Sequence, residues 1–87
     1  MEEEREKKLV GRVTHYFNKI GVAVVDLEDT LNEGDEILIE GKNTHFTQKV
    51  ESMQIEHKPV KTATAGQSIG LKVNERVREK DLVYKLL

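Results

Sequence analysis

The chain has 87 residues, a length that accommodates one small domain with a modest core. It carries 14 basic and 16 acidic residues, so its formal charge of −2 at pH 7 excludes the large positive excess of a protein that coats nucleic acid. It has no cysteine, which excludes disulfides and thiolate metal ligands and fits the reducing cytoplasm, and no apolar run reaches the roughly 18 residues of a membrane span.

The first eight residues, Met1 to Lys8, form a run of charges without an apolar stretch, so they are not a secretory signal. Isolated, they are too few for a stable helix. The sequence therefore predicts a charged flexible tail over residues 1–8 and a single domain over residues 9–87. Mixed charge at 34% of the chain also favours the surface ion-pair networks of a thermostable protein.

From Leu9 onward the apolar residues recur with a period of two, which is typical of β-strands. The pattern predicts strands over Leu9–Phe17 and Val22–Leu27, joined by a turn at Asn18–Gly21. A second turn at Leu31–Asp35, where a glycine is free to take positive φ, leads into a short strand over Glu36–Glu40.

The second half of the chain continues this pattern with one irregularity. A long strand is predicted over Phe46–His57, and the loss of alternation across Val50–Met53 indicates a β-bulge or a bend. Residues 58–66 contain the chain's one proline and are predicted to form a surface loop. Strands over Gln67–Val73 and Asp81–Leu86 complete a set of six.

Six short strands with turns every eight to twelve residues predict an all-β sandwich or barrel. In so short a chain we expect a small closed barrel, because closure removes exposed sheet edges.

The order of the glycine turns and strands resembles domain 2 of elongation factor Tu and its relatives. The resemblance rests on four motifs, Gly34-Asp35, Gly41, Val50-x-x-Met53-x-Ile55 and Ala65-Gly66-Gln67-x-Ile69-Gly70-Leu71. It implies a six-stranded Greek-key barrel of the reductase/isomerase/elongation factor common-domain type. Similar barrels occur as stand-alone archaeal elongation-factor-like proteins and as C-terminal domains of collagenase-like peptidases.

Two departures limit what this resemblance implies about function. Gly41-Lys42-Asn43 lacks the earlier glycine and the Ser or Thr of a P-loop, so no nucleotide is expected. Gln54 and His57 stand where the elongation factors carry a Glu and an Arg that hold the end of aminoacyl-tRNA. That tRNA-end site is therefore not carried over.

Catalytic chemistry has little support in the sequence. His15, His45 and His57 lack the spacing of a metal site, and neither Ser52 nor Ser68 lies in a nucleophile elbow. We predict no catalytic residues, no cofactor and no metal.

An acidic stretch from Asp26 to Glu36 offers paired carboxylates, which in a cleft could serve as general acid and base. Their position in turns favours solvated carboxylates with ordinary pKa values instead.

Basic residues in the second half are the remaining candidates for binding. Lysines contribute phosphate contacts, and an exposed Tyr16 or Phe46 could stack a base. The nucleic-acid-binding candidates are Lys42, Lys49, His57, Lys58 and Lys61.

We therefore predict that the chain is not an enzyme but a non-catalytic binding module of the translation-factor barrel type that contacts RNA or the ribosome. The alternative is a protein-interaction accessory domain that docks on a larger enzyme or factor. Its near-neutral charge suits this alternative equally well.

Overall fold

The structure, a computed structural model, describes residues 6–87. It confirms an all-β fold: within these residues every regular element is a strand. There are ten strands: β1 Lys7–Phe17, β2 Val22–Leu27, β3 Leu31–Asn32, β4 Glu36–Gly41, β5 Thr44–Lys49, β6 Met53–Ile55, β7 Lys58–Val60, β8 Thr62–Ala63, β9 Ser68–Lys72 and β10 Leu82–Leu86.

Eight of these strands form one antiparallel sheet in the order β5-β4-β10-β1-β2-β9-β6-β7, while β3 and β8 pair separately. The two sheets enclose one hydrophobic core, and the domain has the barrel-like shape expected from the sequence. Among residues 6–87 we find no helix with the length and hydropathy that a membrane span requires.

The predicted long strand over Phe46–His57 is divided into β5 and β6. The cause is Val50, whose N–H donates to the carbonyl of Asp35 and whose carbonyl accepts the N–H of Gly34, both at 2.8 Å. These bonds tie the chain to the preceding turn at the point where alternation fails. The side chains of Val50 and Met53, each 1% exposed, both enter the core.

The predicted loop over residues 58–66 contains β7 and β8. A two-residue turn at Glu56 and His57, with φ of 51° and 66°, folds β7 back onto β6. Such a turn needs two positive φ values and is usually signalled by Asn-Gly. The sequence gives no such signal here, and Pro59 argues against a central strand.

The folded domain begins two residues before the predicted boundary at Leu9. Lys7 and Lys8 pair with the C-terminal strand β10, and their amines lie 3.0 Å from Glu40 and 2.6 Å from Asp29, respectively. These contacts draw the end of the predicted tail into the sheet. Residues 1–5 of that tail lie outside the described residues.

The core is built from aliphatic side chains of both halves of the chain. It includes Val77, 1% exposed, which anchors the polar connection before β10. In the segment predicted as a strand over 67–73, Ile69, Leu71 and Val73 enter the core. The core residues are Val10, Val13, Ala23, Val25, Leu27, Leu31, Ile37, Ile39, Phe46, Val50, Met53, Ala63, Ile69, Leu71, Val73, Val77 and Val83.

A buried side chain joins the outermost strand β5 to the end of β9. The amide nitrogen of Gln48 donates to the carbonyl of Lys72 at 2.9 Å, and its oxygen accepts the N–H of Asn74 at 2.7 Å. Gln48 thereby supplies hydrogen bonds across a gap that no strand ladder covers.

Candidate functional site

A groove of about 310 Å³ lies on the outer face of the sheet. Its floor crosses β2, β9 and β6, where Gly70 lies between its partners Val24 and Gln54. One wall is the β1–β2 hairpin tip, and the opposite wall is the β6–β7 turn. We call this the Gly70 groove and define it by Phe17, Ile20, Val24, Gln54, His57 and Gly70.

Gly70 differs from the other two strand glycines in what surrounds it. At Gly11 an added Cβ would lie 2.7 Å from a methyl carbon of Val25, and at Gly41 it would overlap the carboxylate of Asp81. At Gly70 the nearest atom would be a methyl carbon at 3.4 Å, an ordinary contact, and φ is outside the left-handed region. Internal packing therefore requires glycine at the first two positions but not at Gly70.

The hairpin wall presents large apolar side chains to solvent. Phe17 is 47% exposed and Ile20 is 59% exposed, and they are two of four large apolar side chains that are exposed within residues 6–87. The ring of His15 meets the Phe17 ring edge-on at a centroid distance of 4.4 Å. Lys72 Nζ donates to the carbonyl of Ile20 at 2.9 Å, so the tip is held against β9.

The opposite wall and the far end of the groove are polar. Gln54 offers an exposed carboxamide, and Ser68 donates its hydroxyl proton to a carboxylate oxygen of Asp26 at 2.6 Å. The Ser68 oxygen can therefore still accept a hydrogen bond. Glu56 and His57 complete this wall.

Two of the three non-glycine residues with positive φ in the described chain, Glu56 and His57, lie at this groove. Such conformations each cost on the order of 1 kcal/mol and are found at ligand clamps and switch regions. An Asn-Gly sequence would form the same turn at lower cost. The residues present instead place two larger side chains at the groove.

The five predicted nucleic-acid contacts do not form one compact patch. Lys42 lies at the tip of the β4–β5 hairpin and Lys49 at its base, about 20 Å apart at the usual rise per strand residue. His57 lies in the β6–β7 turn, Lys58 is the first residue of β7, and Lys61 follows β7. Of the five, His57 belongs to the Gly70 groove.

One of the two aromatic residues proposed to stack a base is buried. Phe46, 8% exposed, belongs to the core, and Tyr16 is half-buried and packs against it. The expectation that the Phe46 ring could stack a base is therefore wrong, because burial of apolar area draws this ring inward. For Tyr16 it stays a prediction.

The residues weighed for catalysis are spread over the surface. No group of three or more His, Asp or Glu side chains within residues 6–87 is placed to hold a metal ion. In the acidic stretch, the hydrogen bond from Lys8 and a second one from the N–H of Thr30 lower the pKa of Asp29 below its ordinary value. For Asp29 the expectation of an ordinary pKa is thus wrong.

Sequence reasoning missed the apolar half of the groove. Phe17 and Ile20 were assigned to a strand end and a turn, and Gly70 was used only as a family motif. One signal was present: an isolated glycine inside a strand indicates close approach of a ligand or another backbone.

No protein-family model matches the chain. The chain does match curated proteins. The chain is 46% identical over 78 residues, 88% of its length, to an uncharacterized protease of Methanocaldococcus jannaschii, and covers 19% of that protein. It is 42% identical over 83 residues, 93% of its length, to a collagenase of Porphyromonas gingivalis, of which it covers 23%. It thus spans about a fifth of the length of these relatives.

A solved structure has the same fold. The C-terminal domain of a candidate U32 peptidase of Geobacillus thermoleovorans superposes with a TM-score of 0.84, covers 90% of this chain and is itself covered to 91%. The two sequences are 25% identical. The curated relatives are thus named as a protease and a collagenase, and the solved structure with this fold is the C-terminal domain of a U32 peptidase.

These findings correct the predicted function. A translation-factor module that contacts RNA or the ribosome was wrong, because the relatives are named as proteases and collagenases. The prediction of a small all-β, barrel-like domain is confirmed, although the described residues form ten strands rather than six. The resemblance to collagenase-like peptidases is the part supported by the comparisons, and the solved domain is itself the C-terminal part of a larger peptidase.

Proposed function

We propose that this chain is a non-catalytic accessory domain of a U32- or collagenase-type peptidase and docks on the larger part that carries the chemistry. The observation that carries the proposal is the asymmetry of coverage. The relatives match 88–93% of this chain, while the chain accounts for 19–23% of each. The matched region is therefore one module of a protein several times longer.

The arrangement of the domain supports this role. Its interior is filled by aliphatic side chains, and two of the four large apolar side chains that are exposed within residues 6–87, Phe17 and Ile20, line a groove on the outer face. Interfaces between domains of one chain are of modest size and mixed polarity. A surface with a few exposed apolar groups and neutral polar neighbours matches that description. A cytoplasmic location is part of the proposal and rests on the cysteine-free composition.

A domain exchange tests the proposal. The matched 83 residues of the Porphyromonas gingivalis collagenase are replaced by this chain, and hydrolysis of collagen is compared with that of the parent and of a protein lacking those residues. We expect the exchanged protein to approach the parent rate and the isolated 87-residue chain to cleave nothing.

Two results would contradict this role. Cleavage by the isolated chain would make it catalytic, and an exchanged protein no better than the deletion would remove the docking role. Gel filtration and a single unfolding transition, measured on the exchanged protein, show whether a loss of activity reflects misfolding.

A further inference from the structure

We propose that the Gly70 groove is the docking site for an extended segment of the peptidase polypeptide outside this domain, with one large apolar side chain of that segment seated against Phe17 and Ile20. This inference rests on the proposed function and adds to it the surface used and the chemistry of the partner.

The first observation behind this inference is the presence of glycine at position 70. Because the protein itself leaves room for a Cβ there, the absence of a side chain serves something outside the domain. Glycine inside a strand weakens the strand by roughly 0.5–1 kcal/mol and is found where another backbone approaches closely. At Gly70 the open space is the floor of the groove, so the approaching group comes from the outer face.

The size and lining of the groove specify an apolar side chain. An apolar cavity of about 150 Å³ already holds a benzene ring. At about 310 Å³ the groove has room for a leucine or phenylalanine side chain together with a stretch of backbone. Phe17 and Ile20 provide the apolar contact, and Val24 lies half-buried beneath them.

The polar wall matches a peptide backbone. The carboxamide of Gln54 can donate to a peptide carbonyl and accept from a peptide N–H, while the Ser68 oxygen can accept from a second N–H. These are neutral groups, and Glu56 is the one carboxylate that lines the groove. Neutral donors and acceptors beside an apolar wall suit an uncharged extended segment better than a phosphate or another anion.

Edge pairing offers no better site on this side of the sheet. The neighbouring outer strand β7 carries Lys58 and Pro59, and Lys61 follows it. Lysine and proline on an edge oppose the addition of another strand. The face of the sheet at the Gly70 groove therefore provides the contact.

The occupant comes from the rest of the peptidase because of how much of it lies outside this domain. About four-fifths of each curated relative is unmatched by this chain. A tethered partner has a high effective concentration, so a groove of this modest size suffices to hold it. A free ligand would need a larger contact.

The test uses short overlapping synthetic peptides that span the part of the Porphyromonas gingivalis collagenase outside the matched 83 residues. Each is titrated into the isotope-labelled 87-residue chain, and NMR shifts of the Gly70 amide and the Ile20 and Val24 methyl groups are followed. We expect one stretch of peptides with a shared large apolar residue to shift these signals.

Three variants give the expected pattern. Ile20→Gln weakens binding about tenfold or more, as loss of a central apolar anchor does. Gly70→Val fills the floor and abolishes binding while the other signals keep their folded positions. Leu87→Gln is the matched control, since Leu87 is 60% exposed and lies outside the groove. It leaves binding unchanged.

Several results overturn the inference. Binding that shifts other surfaces, or binding unaffected by Ile20→Gln and Gly70→Val, removes the groove. Shifts that follow protein concentration alone identify a second copy as the occupant. Groove binding by collagen fragments but by no peptide of the peptidase identifies substrate instead. If no peptide binds while the domain exchange retains activity, the accessory role stands and the groove proposal fails.

Discussion

Replacing strand glycines by alanine distinguishes positions where packing leaves no room for a Cβ from a position where a Cβ fits. The Cβ of Gly41→Ala would overlap the carboxylate of Asp81, which is 4% exposed and accepts the N–H of Arg78 at 2.8 Å. The carboxylate must then move away from that donor. Gly70→Ala would meet its nearest neighbour at an ordinary 3.4 Å.

The two substitutions are expected to change the free energy of unfolding in opposite directions. A hydrogen bond to a charged group contributes about 1.5–3 kcal/mol, and strain from overpacking adds about 1–3 kcal/mol. Replacing glycine in a strand returns about 0.5–1 kcal/mol. We therefore expect Gly41→Ala to lower the free energy of unfolding by about 2–4 kcal/mol. For Gly70→Ala only the favourable effect of replacing glycine remains, so we expect this substitution to raise the free energy of unfolding by about 0.5 kcal/mol.

Urea unfolding followed by circular dichroism measures both effects, with equal slopes required for the comparison. A double-mutant cycle then tests the cause. In an Asp81→Ala background the cost of Gly41→Ala should fall by about 2 kcal/mol, since the displaced carboxylate is gone. The reasoning is refuted if Gly41→Ala unfolds like the parent, or if Gly70→Ala costs more than about 1 kcal/mol.

Three further outcomes are expected. Gln48→Leu should lower the free energy of unfolding by about 2–3 kcal/mol, because it leaves the carbonyl of Lys72 and the N–H of Asn74, now bonded by the buried Gln48 side chain, without those partners; a change below about 0.5 kcal/mol would show that water replaces the side chain. Because the folded-state pKa of Asp29 is lowered from 3.8, chiefly by Lys8, its contribution to stability is present above that value and is lost as pH falls through the folded pKa. An NMR titration should show the pKa of Asp29 rising toward 3.8 in Lys8→Met, and an unchanged value would contradict the pairing. Replacing Glu56 and His57 together by Asn-Gly should raise the free energy of unfolding by about 1 kcal/mol, since the turn loses its strain; destabilisation in urea unfolding would show that the two side chains support the fold.

Local periodicity was sufficient to place most of the fold. The alternation of apolar residues marked β1, β2, β4, β9 and β10 within one or two residues of their observed ends. The same alternation puts Ile69 and Leu71 on one face of β9, and both are buried. These features depend on neighbours in the chain, because side chains two apart share a face of a strand.

The same pattern did not resolve the segment around Val50. Its irregular spacing was visible in the sequence, but the division into β5 and β6 depends on hydrogen bonds to the turn at Gly34 and Asp35. The strand β7 was missed because Glu56 and His57 carry none of the usual turn signals.

The sequence by itself determined that this chain is an all-β domain with an aliphatic interior, and through its motifs it pointed to a barrel that peptidases also use. Only the tertiary structure showed where the outer surface forms a groove. The Gly70 groove joins residues near 17–24, 54–57 and 68–70, which meet because β2, β9 and β6 pair in one register. The alternation of apolar residues is a property of neighbours in the chain, whereas the empty space over a glycine depends on the strands packed around it.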